Sequence, residues 1–201
     1  ASSVYYNVDR FTLVEEGTFW LSDTPETEGS VATSWSSKAL FPRVCTYVVV
    51  KDKKSDKQFA YFNTHFSYED AALRYKSAEL IVSRIQAKGI PAFFSGDLNY
   101  ASNEETDTYN LITAKMDDSR VKAESTMNGN TFHAYGYGPG ELAGDGDVTK
   151  TVPIDYIFST KGDFEVASFR ILKVEGRKGV PEDYYSDHFS IVAQYSYRVG
   201  E

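Results

Sequence analysis

The stretch that decides the fold passes from an apolar strand into a polar turn: Ile90-Pro91-Ala92-Phe93-Phe94-Ser95-Gly96-Asp97-Leu98-Asn99. A short apolar run that follows a helical pattern is typical of a buried strand. We expect this strand to deliver Asp97 and Asn99 to its carboxyl end, with Gly96 allowing the backbone to bend there. A carboxylate and an amide should therefore lie together at one edge of a sheet.

The part of the chain before this stretch predicts a β-hairpin that also ends in polar residues. Residues 47–50 and 59–62 are strand-like, and the lysine-rich residues 51–57 between them are typical of a solvated turn. The second strand delivers Asn63 and His65 to its carboxyl end. An amide and an imidazole are thus expected at a second strand terminus.

Two more acidic positions follow later in the chain. The strand predicted at residues 152–158 carries Asp155 in its middle, between apolar residues, where a charge needs a partner and a histidine is the natural one. Ser186-Asp187-His188 places an acid and a base directly before a last strand at residues 189–193. Together with the stretches above, these residues supply the carboxylates, amides and histidines used in metal-assisted phosphoester hydrolysis.

Two helices and one long loop connect these strands. The first helix is predicted at residues 70–88, with Asp70 as its cap and Gly89 as its end. The second is predicted to open on the capping box Ser102-Asn103-Glu104-Glu105 and to end near residue 115. Residues 136–150 are rich in glycine, and we interpret them either as a substrate-facing lid or as a surface loop.

Each polar stretch has a simpler interpretation when it is taken alone. An Asp-x-Asn sequence after a strand most often forms a turn, because both side chains hydrogen-bond their own backbone. The chain has 3 histidines, and His65 and His188 both lie in strand-terminal clusters beside Asn or Asp, which favours a shared site. His133, in Thr131-Phe132-His133, is a weaker candidate for substrate binding; the alternative is a loop histidine packed near aromatic residues.

Charge and composition narrow the function further. The net charge of −8 argues against extended clamping of nucleic acid, which needs many Lys and Arg side chains, so a small phosphorylated substrate fits better than duplex DNA. The single Cys45 excludes an internal disulfide. No run approaches the roughly 18 apolar residues of a membrane span. The cellular location stays open.

On these motifs, the chain resembles the endonuclease/exonuclease/phosphatase superfamily, the metal-dependent phosphoesterases of deoxyribonuclease-like fold. The resemblance extends over nearly the whole chain, through motifs in the order Tyr5-Tyr6-Asn7-Val8-Asp9-Arg10-Phe11, Gly17-Thr18-Phe19-Trp20-Leu21-Ser22, Asn63-Thr64-His65, Gly96-Asp97-Leu98-Asn99, Ile154-Asp155-Tyr156-Ile157-Phe158 and Ser186-Asp187-His188. The Gly17–Ser22 motif resembles that of a mostly bacterial branch of this superfamily. The resemblance implies an α/β fold, a four-layered α/β sandwich of two packed, mostly antiparallel β-sheets flanked by helices, with residues 1–201 in a single domain.

The resemblance also implies catalytic roles. Asp97 and Asn99 would orient the attacking water and the transition state, with Asp97 as the candidate base. His188 would contact the scissile phosphate and be held in orientation by Asp155. His65 would bind the phosphate from the other flank.

Further residues are implied to bind metal or substrate. The expected cofactor is Mg²⁺, with Mn²⁺ as an alternative, because a hard cation with oxygen ligands neutralises phosphate oxygens. Asp187 is the implied metal ligand, with Asp97 and Asn99 nearby. Asn63 beside His65 would contact the substrate, and Arg43 is a further substrate-binding candidate whose alternative is an ordinary surface arginine at a strand end.

One part of the family pattern is not matched. Family members begin with a strand carrying an Asn, followed by a strand ending in a Gln-Glu pair whose Glu is a principal magnesium ligand. The chain is therefore expected to match roughly the C-terminal two thirds of a family domain. We expect it either to be a fragment of a longer chain or to obtain the missing strands from another segment or chain. Magnesium binding by these residues alone should then be weak.

Two other classes of function stay open at this point. The chain could be a phosphate-binding module or partner subunit that lacks the metal-ligand Glu. It could also be a glycosidase or another hydrolase that uses a carboxylate pair, although the His188 and Asp97 clusters suit phosphate chemistry better. Sensitivity to a chelator separates the three classes.

Overall fold

The computed structural model describes residues 2–136, 152–173 and 176–197. Within these ranges the strands are β1 (Phe11–Trp20), β2 (Val44–Asp52), β3 (Gln58–His65), β4 (Ala92–Asp97), β5 (Met116–Asp118), β6 (Ser125–Thr126), β7 (Asp155–Thr160), β8 (Phe164–Leu172) and β9 (Ser190–Tyr197). The α-helices are α1 (Ala71–Lys88), α2 (Thr106–Thr113) and α3 (Ser119–Lys122). The predicted glycine-rich loop lies outside the described residues from position 137 onward.

Two sheets form the centre of the fold. The first has six strands in the order β1-β2-β3-β4-β7-β5, and the second has three in the order β6-β8-β9. Among the strands of the described ranges, only β3 with β4 and β6 with β8 pair in parallel. The sheets meet through aromatic side chains, with the Phe93 ring 4.4 Å from Phe164 and 4.7 Å from Tyr195 between centroids. The predicted α/β sandwich of two packed, mostly antiparallel sheets is confirmed.

The first helix covers the other face of the larger sheet and follows its prediction closely. The Asp70 carboxylate accepts a hydrogen bond from the Ala72 amide at 3.3 Å, and Gly89 ends the helix with φ 62°. The apolar face of α1 is buried in one core cluster with rings from β3, β4 and β7; this cluster includes Ala78, Ile81, Val82, Ile85, Phe62, Phe94 and Phe158. The helix predicted from its cap and its terminal glycine is therefore confirmed.

The capping-box prediction for the second helix was wrong. The carbonyl of Ala101 accepts bonds from the amides of Glu104 and Glu105, which forms a separate turn, and α2 begins only at Thr106. The Glu105 carboxylate binds Arg74 and Thr108 instead of capping the helix through a box. Glu105 therefore forms an ion pair with Arg74 on α1 and not the predicted capping box.

The prediction for Asp155 also needs correction, because β7 begins at this residue instead of carrying it in the middle. Pro153 has no N–H to donate to a ladder. The amides of Ile154 and Asp155 both donate to the Thr131 hydroxyl at 3.3 Å. Since β7 runs antiparallel to β4, its beginning lies beside the end of β4.

The edge strand β9 of the smaller sheet is a place where the predicted additional strands could pair. Among the described residues, β9 pairs only with β8. Beside it lies a groove of about 530 Å³, and its lining includes the apolar residues Phe11, Val48, Val50 and Phe59 of the larger sheet. The supply of further strands by another segment or chain stays a prediction, as does the single domain over residues 1–201.

None of the helices that the structure describes combines the length and the apolar character needed to cross a membrane.

Gly96 provides a test of how β3 and β4 are held together. Its φ is 153°, and a Cβ built there would lie 2.0 Å from the Thr64 carbonyl oxygen on β3. We expect Gly96→Ala to lower the free energy of unfolding by about 2 kcal/mol or more, since backbone cannot move aside as a side chain can. Urea denaturation measures the loss.

Gly162→Ala is the matched control for this prediction. Gly162 also has a positive φ, 85°, but nothing lies within 4 Å of its built Cβ. This variant should lose only about 1 kcal/mol, from backbone strain. Equal losses in the two variants would contradict the importance of the close approach at Gly96.

Candidate active site

The ends of three neighbouring strands bring a histidine and two carboxylates side by side. In the register of the larger sheet, His65 on β3 pairs with Asp97 on β4, and Asp97 pairs with Asp155 on β7. Asp97 and Asp155 have side chains that are 16% and 17% exposed, whereas that of His65 is 51% exposed. These residues line a cleft of about 290 Å³. Strand pairing therefore sets the spacing of the site.

Asp97 lies between two imidazole rings. Its Oδ2 is 3.2 Å from Nε2 of His65 and 3.7 Å from Nε2 of His188. Its Oδ1 accepts a hydrogen bond from the backbone N–H of Asn99 at 2.9 Å. One carboxylate thus contacts a histidine from each flank of the cleft.

The Asp155 carboxylate holds the ring of His188. Its Oδ2 lies 2.8 Å from Nδ1 of His188, so the contact expected for a carboxylate among apolar residues is present. The backbone next to His188 is fixed as well, because the Phe189 amide donates to the Thr131 carbonyl at 2.8 Å. The Nδ1 contact leaves Nε2 of His188 facing Asp97.

Asn99 is both a turn residue and a neighbour of the site. It has a left-handed φ of 53°, and its amide nitrogen bonds the Asp97 carboxylate as in an Asx turn. Its side-chain Nδ2 donates to the carbonyl of Phe66 at 2.8 Å. The simple turn interpretation of Asp-x-Asn therefore holds together with its placement at the site.

The proton affinities of the cluster differ from ordinary values. Burial, reinforced by the charge of Asp155, raises the pKa of Asp97 to about 6. Burial lowers the pKa of His65, and the charges of Arg43 and His188 act in the same direction. Burial alone would lower the pKa of His188, but the hydrogen bond and charge of Asp155 outweigh it, and the net shift is upward. Strongly shifted groups in a cleft are typical of catalytic sites.

Arg43 lies close enough to act on this cluster electrostatically. It directly precedes β2, and its charge lowers the pKa of both His65 and Asp97. Its Nε is buried and has no hydrogen-bond partner within the described residues. The guanidinium carbon is 5.8 Å from the centroid of the Tyr68 ring. A buried guanidinium N–H without a partner could donate a hydrogen bond to an anionic ligand.

Asn63 has both ends of its side chain engaged within the protein. Its Oδ1 accepts a hydrogen bond from the Ser95 hydroxyl at 3.0 Å, and its Nδ2 donates to the carbonyl of Ser3 at 3.0 Å. Tyr61 in turn donates to Ser95 at 2.9 Å. Asn63 lines the cleft, although its amide points to these partners.

The structure does not bring Asp187 and His133 into the cluster of ligand atoms. The Asp187 backbone carbonyl accepts bonds from the amides of His133 and Ala134, and its carboxylate accepts one from Ser186 at 3.3 Å. His133 is only 3% exposed and stacks on Phe189, with 4.2 Å between ring centroids. The alternative of a loop histidine packed among aromatics describes its position.

Sequence reasoning missed the contribution of Thr131. This residue is fully buried, and its hydroxyl accepts the amides of Ile154 and Asp155 while its carbonyl accepts that of Phe189. Thr131 thereby fixes the segments that carry both Asp155 and His188. The only signal was its place in the motif that drew attention to His133.

The cluster can accommodate a divalent cation. Asp97, Asp155 and His188 offer ligand atoms that all lie within 4.8 Å of one another. Carboxylate oxygens suit a hard cation such as Mg²⁺, and a positive ion would offset the repulsion between the two carboxylates. Because Asp155 already binds His188, Asp97 is the main donor. These residues therefore fit the expected metal.

Comparison with solved structures finds several relatives of the same fold. An endonuclease/exonuclease/phosphatase from Bacteroides vulgatus matches with a TM-score of 0.79 and 30% identity, covering 96% of this chain and 69% of that one. A mannosyl-6-phosphatase from Bacteroides thetaiotaomicron matches with a TM-score of 0.73 and 26% identity, covering 95% and 69%. An endonuclease/exonuclease/phosphatase family protein from Bacteroides thetaiotaomicron matches with a TM-score of 0.75 and 26% identity. The match covers 94% of this chain and 65% of that one.

The family comparison agrees with the site geometry. No significant match is found among curated proteins. A family model described as the endonuclease/exonuclease/phosphatase family matches residues 10–188, a range that contains all the clustered site residues. This chain therefore belongs to the endonuclease/exonuclease/phosphatase family.

Proposed function

We propose that this protein is a metal-dependent phosphoesterase that hydrolyses a phosphodiester or phosphomonoester by in-line attack of an activated water. The observation that carries the proposal is the position of Asp97 between two imidazoles, 3.2 Å from His65 and 3.7 Å from His188, with Asp155 behind the second ring. Membership of the family and the likeness to a mannosyl-6-phosphatase support the same class of reaction.

Asp97 is the proposed base. With a pKa of about 6 it is mostly ionised at neutral pH, yet basic enough to take a proton from water in the transition state. An ordinary surface aspartate is a much weaker base at this pH. The backbone N–H of Asn99 donates a hydrogen bond to the other oxygen of Asp97 and so orients the carboxylate.

His188 is the proposed group that contacts the scissile phosphate. Asp155 holds Nδ1, which leaves Nε2 as the donor toward the phosphate, and the raised pKa favours the charged ring. A fixed positive donor stabilises the charge that develops on phosphate oxygens. His65, whose pKa is lowered, would contribute a neutral donor from the other flank.

The metal and Arg43 would complete the neutralisation of the substrate. Asp97, with Asp155 nearby, would hold Mg²⁺ or Mn²⁺, and Asp187 remains a proposed additional ligand. When bound, the cation supplies charge neutralisation for the phosphate and for the leaving oxygen. Arg43, with its unsatisfied Nε, is proposed to bind a phosphate oxygen. Asn63 and His133 are retained as weaker substrate-binding proposals.

A small phosphorylated molecule is the proposed substrate. The net charge of −8 disfavours a long polyanion, and the cleft is small, at about 290 Å³. The free edge of β9 supports a further proposal, that a strand from another segment or chain pairs there.

The first test measures hydrolysis of p-nitrophenyl phosphate and its bis-ester by the protein. Hydrolysis should require millimolar Mg²⁺ and disappear with excess chelator, because oxygen ligands hold this ion weakly when few are provided. A p-nitrophenyl glycoside is the control and should not be cleaved. Chelator-resistant hydrolysis would reject the metal-dependent mechanism, and phosphate binding without hydrolysis would favour the binding-module alternative.

A second test removes the charge behind His188. Asp155→Asn should lower kcat by about 10²–10⁴-fold, because the amide neither orients nor stabilises the charged ring as the carboxylate does. The fold should remain, which circular dichroism can check. Asp107→Asn on the exposed start of α2 is the matched control and should keep full activity. A fully active Asp155→Asn enzyme would remove this residue from the mechanism.

A third test uses the stability of the metal-free protein. The pKa of Asp97 in the folded state is raised to about 6 from 3.8, so the folded protein binds the extra proton and gains stability below pH 4, and this contribution is lost as the pH rises through 6. In chelator at pH 7.5, Asp97→Asn should therefore be more stable than the wild type by about 1–3 kcal/mol. At pH 4 the two proteins should be nearly equal.

Adding Mg²⁺ provides the control for the stability test. Ligand binding raises the apparent stability of the form that binds it. Thermal unfolding with 10 mM Mg²⁺, roughly a saturating concentration for a weak oxygen site, should raise the Tm of the wild type more than that of Asp97→Asn. Equal shifts in both proteins would exclude Asp97 as a ligand.

A further inference from the structure

We propose that Arg74 is a positioning residue of the active site. By joining the connection between β3 and α1 (residues 66–70) to the connection between β4 and α2 (residues 98–105), it sets the position of Asn99 beside Asp97. This inference rests on the proposed phosphoesterase function and deepens it, because it names a residue that acts through the site residues instead of contacting the substrate itself.

The two connections are joined directly at the site. The Phe66 amide donates to the Asp97 carbonyl at 2.9 Å, and Nδ2 of Asn99 donates to the Phe66 carbonyl at 2.8 Å. The backbone N–H of Asn99 in turn holds Oδ1 of Asp97 at 2.9 Å. The path of the first connection therefore determines where the Asn99 side chain lies.

Arg74 joins the same two connections at a second place. Its Nη1 donates to the carbonyls of Ser67 and Tyr68 at 3.1 and 3.3 Å, and its Nε donates to Oε2 of Glu105 at 2.8 Å. Ser67 directly follows Phe66, and Glu105 is the last residue before α2. One guanidinium thus holds the start of the first connection to the end of the second.

The ion pair between Arg74 and Glu105 is largely shielded from water. Their side chains are 12% and 15% exposed, and the other carboxylate oxygen of Glu105 accepts a hydrogen bond from Thr108 on α2 at 2.5 Å. A pair buried to this extent adds little net stability, because lost hydration offsets the attraction. Its several directed bonds instead fix the two connections relative to each other.

A second arginine on the same helix has contacts of another kind. Arg84 lies roughly 15 Å farther along α1 by the helical rise. It pairs with Glu26 in the loop after β1, and its guanidinium carbon is 4.1 Å from the centroid of the Phe19 ring. Neither partner belongs to the two connections. The loss of Arg84 should therefore affect stability without moving the site.

The kinetic experiment measures kcat and KM for the faster of the two p-nitrophenyl esters in the presence of Mg²⁺. Arg74→Lys keeps the charge but cannot donate to Glu105 and to two carbonyls at once, since an ammonium is a compact point donor. kcat should fall about tenfold or more, because a small displacement of Asn99 and Asp97 spoils the alignment of the attacking water. KM should change less than about threefold, because the proposed phosphate contacts come from other segments.

Two companion variants separate positioning from stability. Glu105→Gln removes the charge of the pair but leaves the bonds from Arg74 to the two carbonyls, so kcat should fall by a smaller factor. Arg84→Met is the matched control. It should lower the free energy of unfolding in urea and leave kcat and KM unchanged. Circular dichroism checks that each variant is folded at the assay temperature.

A spectroscopic readout follows the side-chain amide of Asn99 without any need for activity. In a nitrogen–proton correlation NMR spectrum, Asn99→Gly identifies this signal by its loss, since glycine tolerates the left-handed φ of 53° at that position. The signal should shift or broaden in Arg74→Lys and stay in place in Arg84→Met.

The outcomes are distinguishable. An unchanged kcat in Arg74→Lys, an equal loss of kcat in Arg84→Met, or an unmoved Asn99 signal in Arg74→Lys would overturn the assignment. A rise in KM alone would point to Arg43, which faces the Tyr68 ring, and would overturn it as well. A wild-type protein that hydrolyses neither ester would reject the proposed function, whereas the Asn99 signal would still decide whether Arg74 positions that side chain.

Discussion

The parallel pairing of β3 with β4 is the constraint on which the site depends. It aligns His65 with Asp97, and the antiparallel pairing of β4 with β7 then aligns Asp97 with Asp155. Hydrogen-bonded strands lie about 4.8 Å apart, so these residues have little freedom to separate. The pairing requires Gly96, because the Thr64 carbonyl occupies the space where any side chain would begin. A backbone contact therefore sets the geometry of a chemical centre.

The same alignment creates an electrostatic cost. Two carboxylates at adjacent strand ends repel each other, and burial strengthens this repulsion because the local dielectric is low. The fold limits the cost by giving each carboxylate a histidine, His188 for Asp155 and His65 for Asp97. The pKa of Asp97 is still raised to about 6, first by its burial and then by the charge of Asp155. A carboxylate with a shifted pKa in a cleft is typical of a functional site.

Support for the centre comes from a segment outside the sheet. Thr131 accepts hydrogen bonds from Asp155 at the start of β7 and from Phe189 just before β9. It therefore connects the two sheets next to His188. The buried ring of His133 packs under Phe189 in the same region. The larger sheet thus supplies Asp97, Asp155 and His65, while the segment before β9 supplies His188. The site exists only when both parts pack together.

The sequence by itself determined the hairpin, the helix α1 and the strand-terminal placement of the polar residues, because periodicity, caps and glycines act locally. Motif order also identified the family. The contact between Asp155 and His188, which the resemblance implied, is present in the structure, but only the tertiary structure decided that Asp187 and His133 lie outside the cluster. In the tertiary structure α2 also starts later than predicted. Glu105 binds Arg74, which lies 31 positions earlier in the chain, and does not take part in a local capping box. Contacts between distant residues depend on register and packing, which local patterns do not encode.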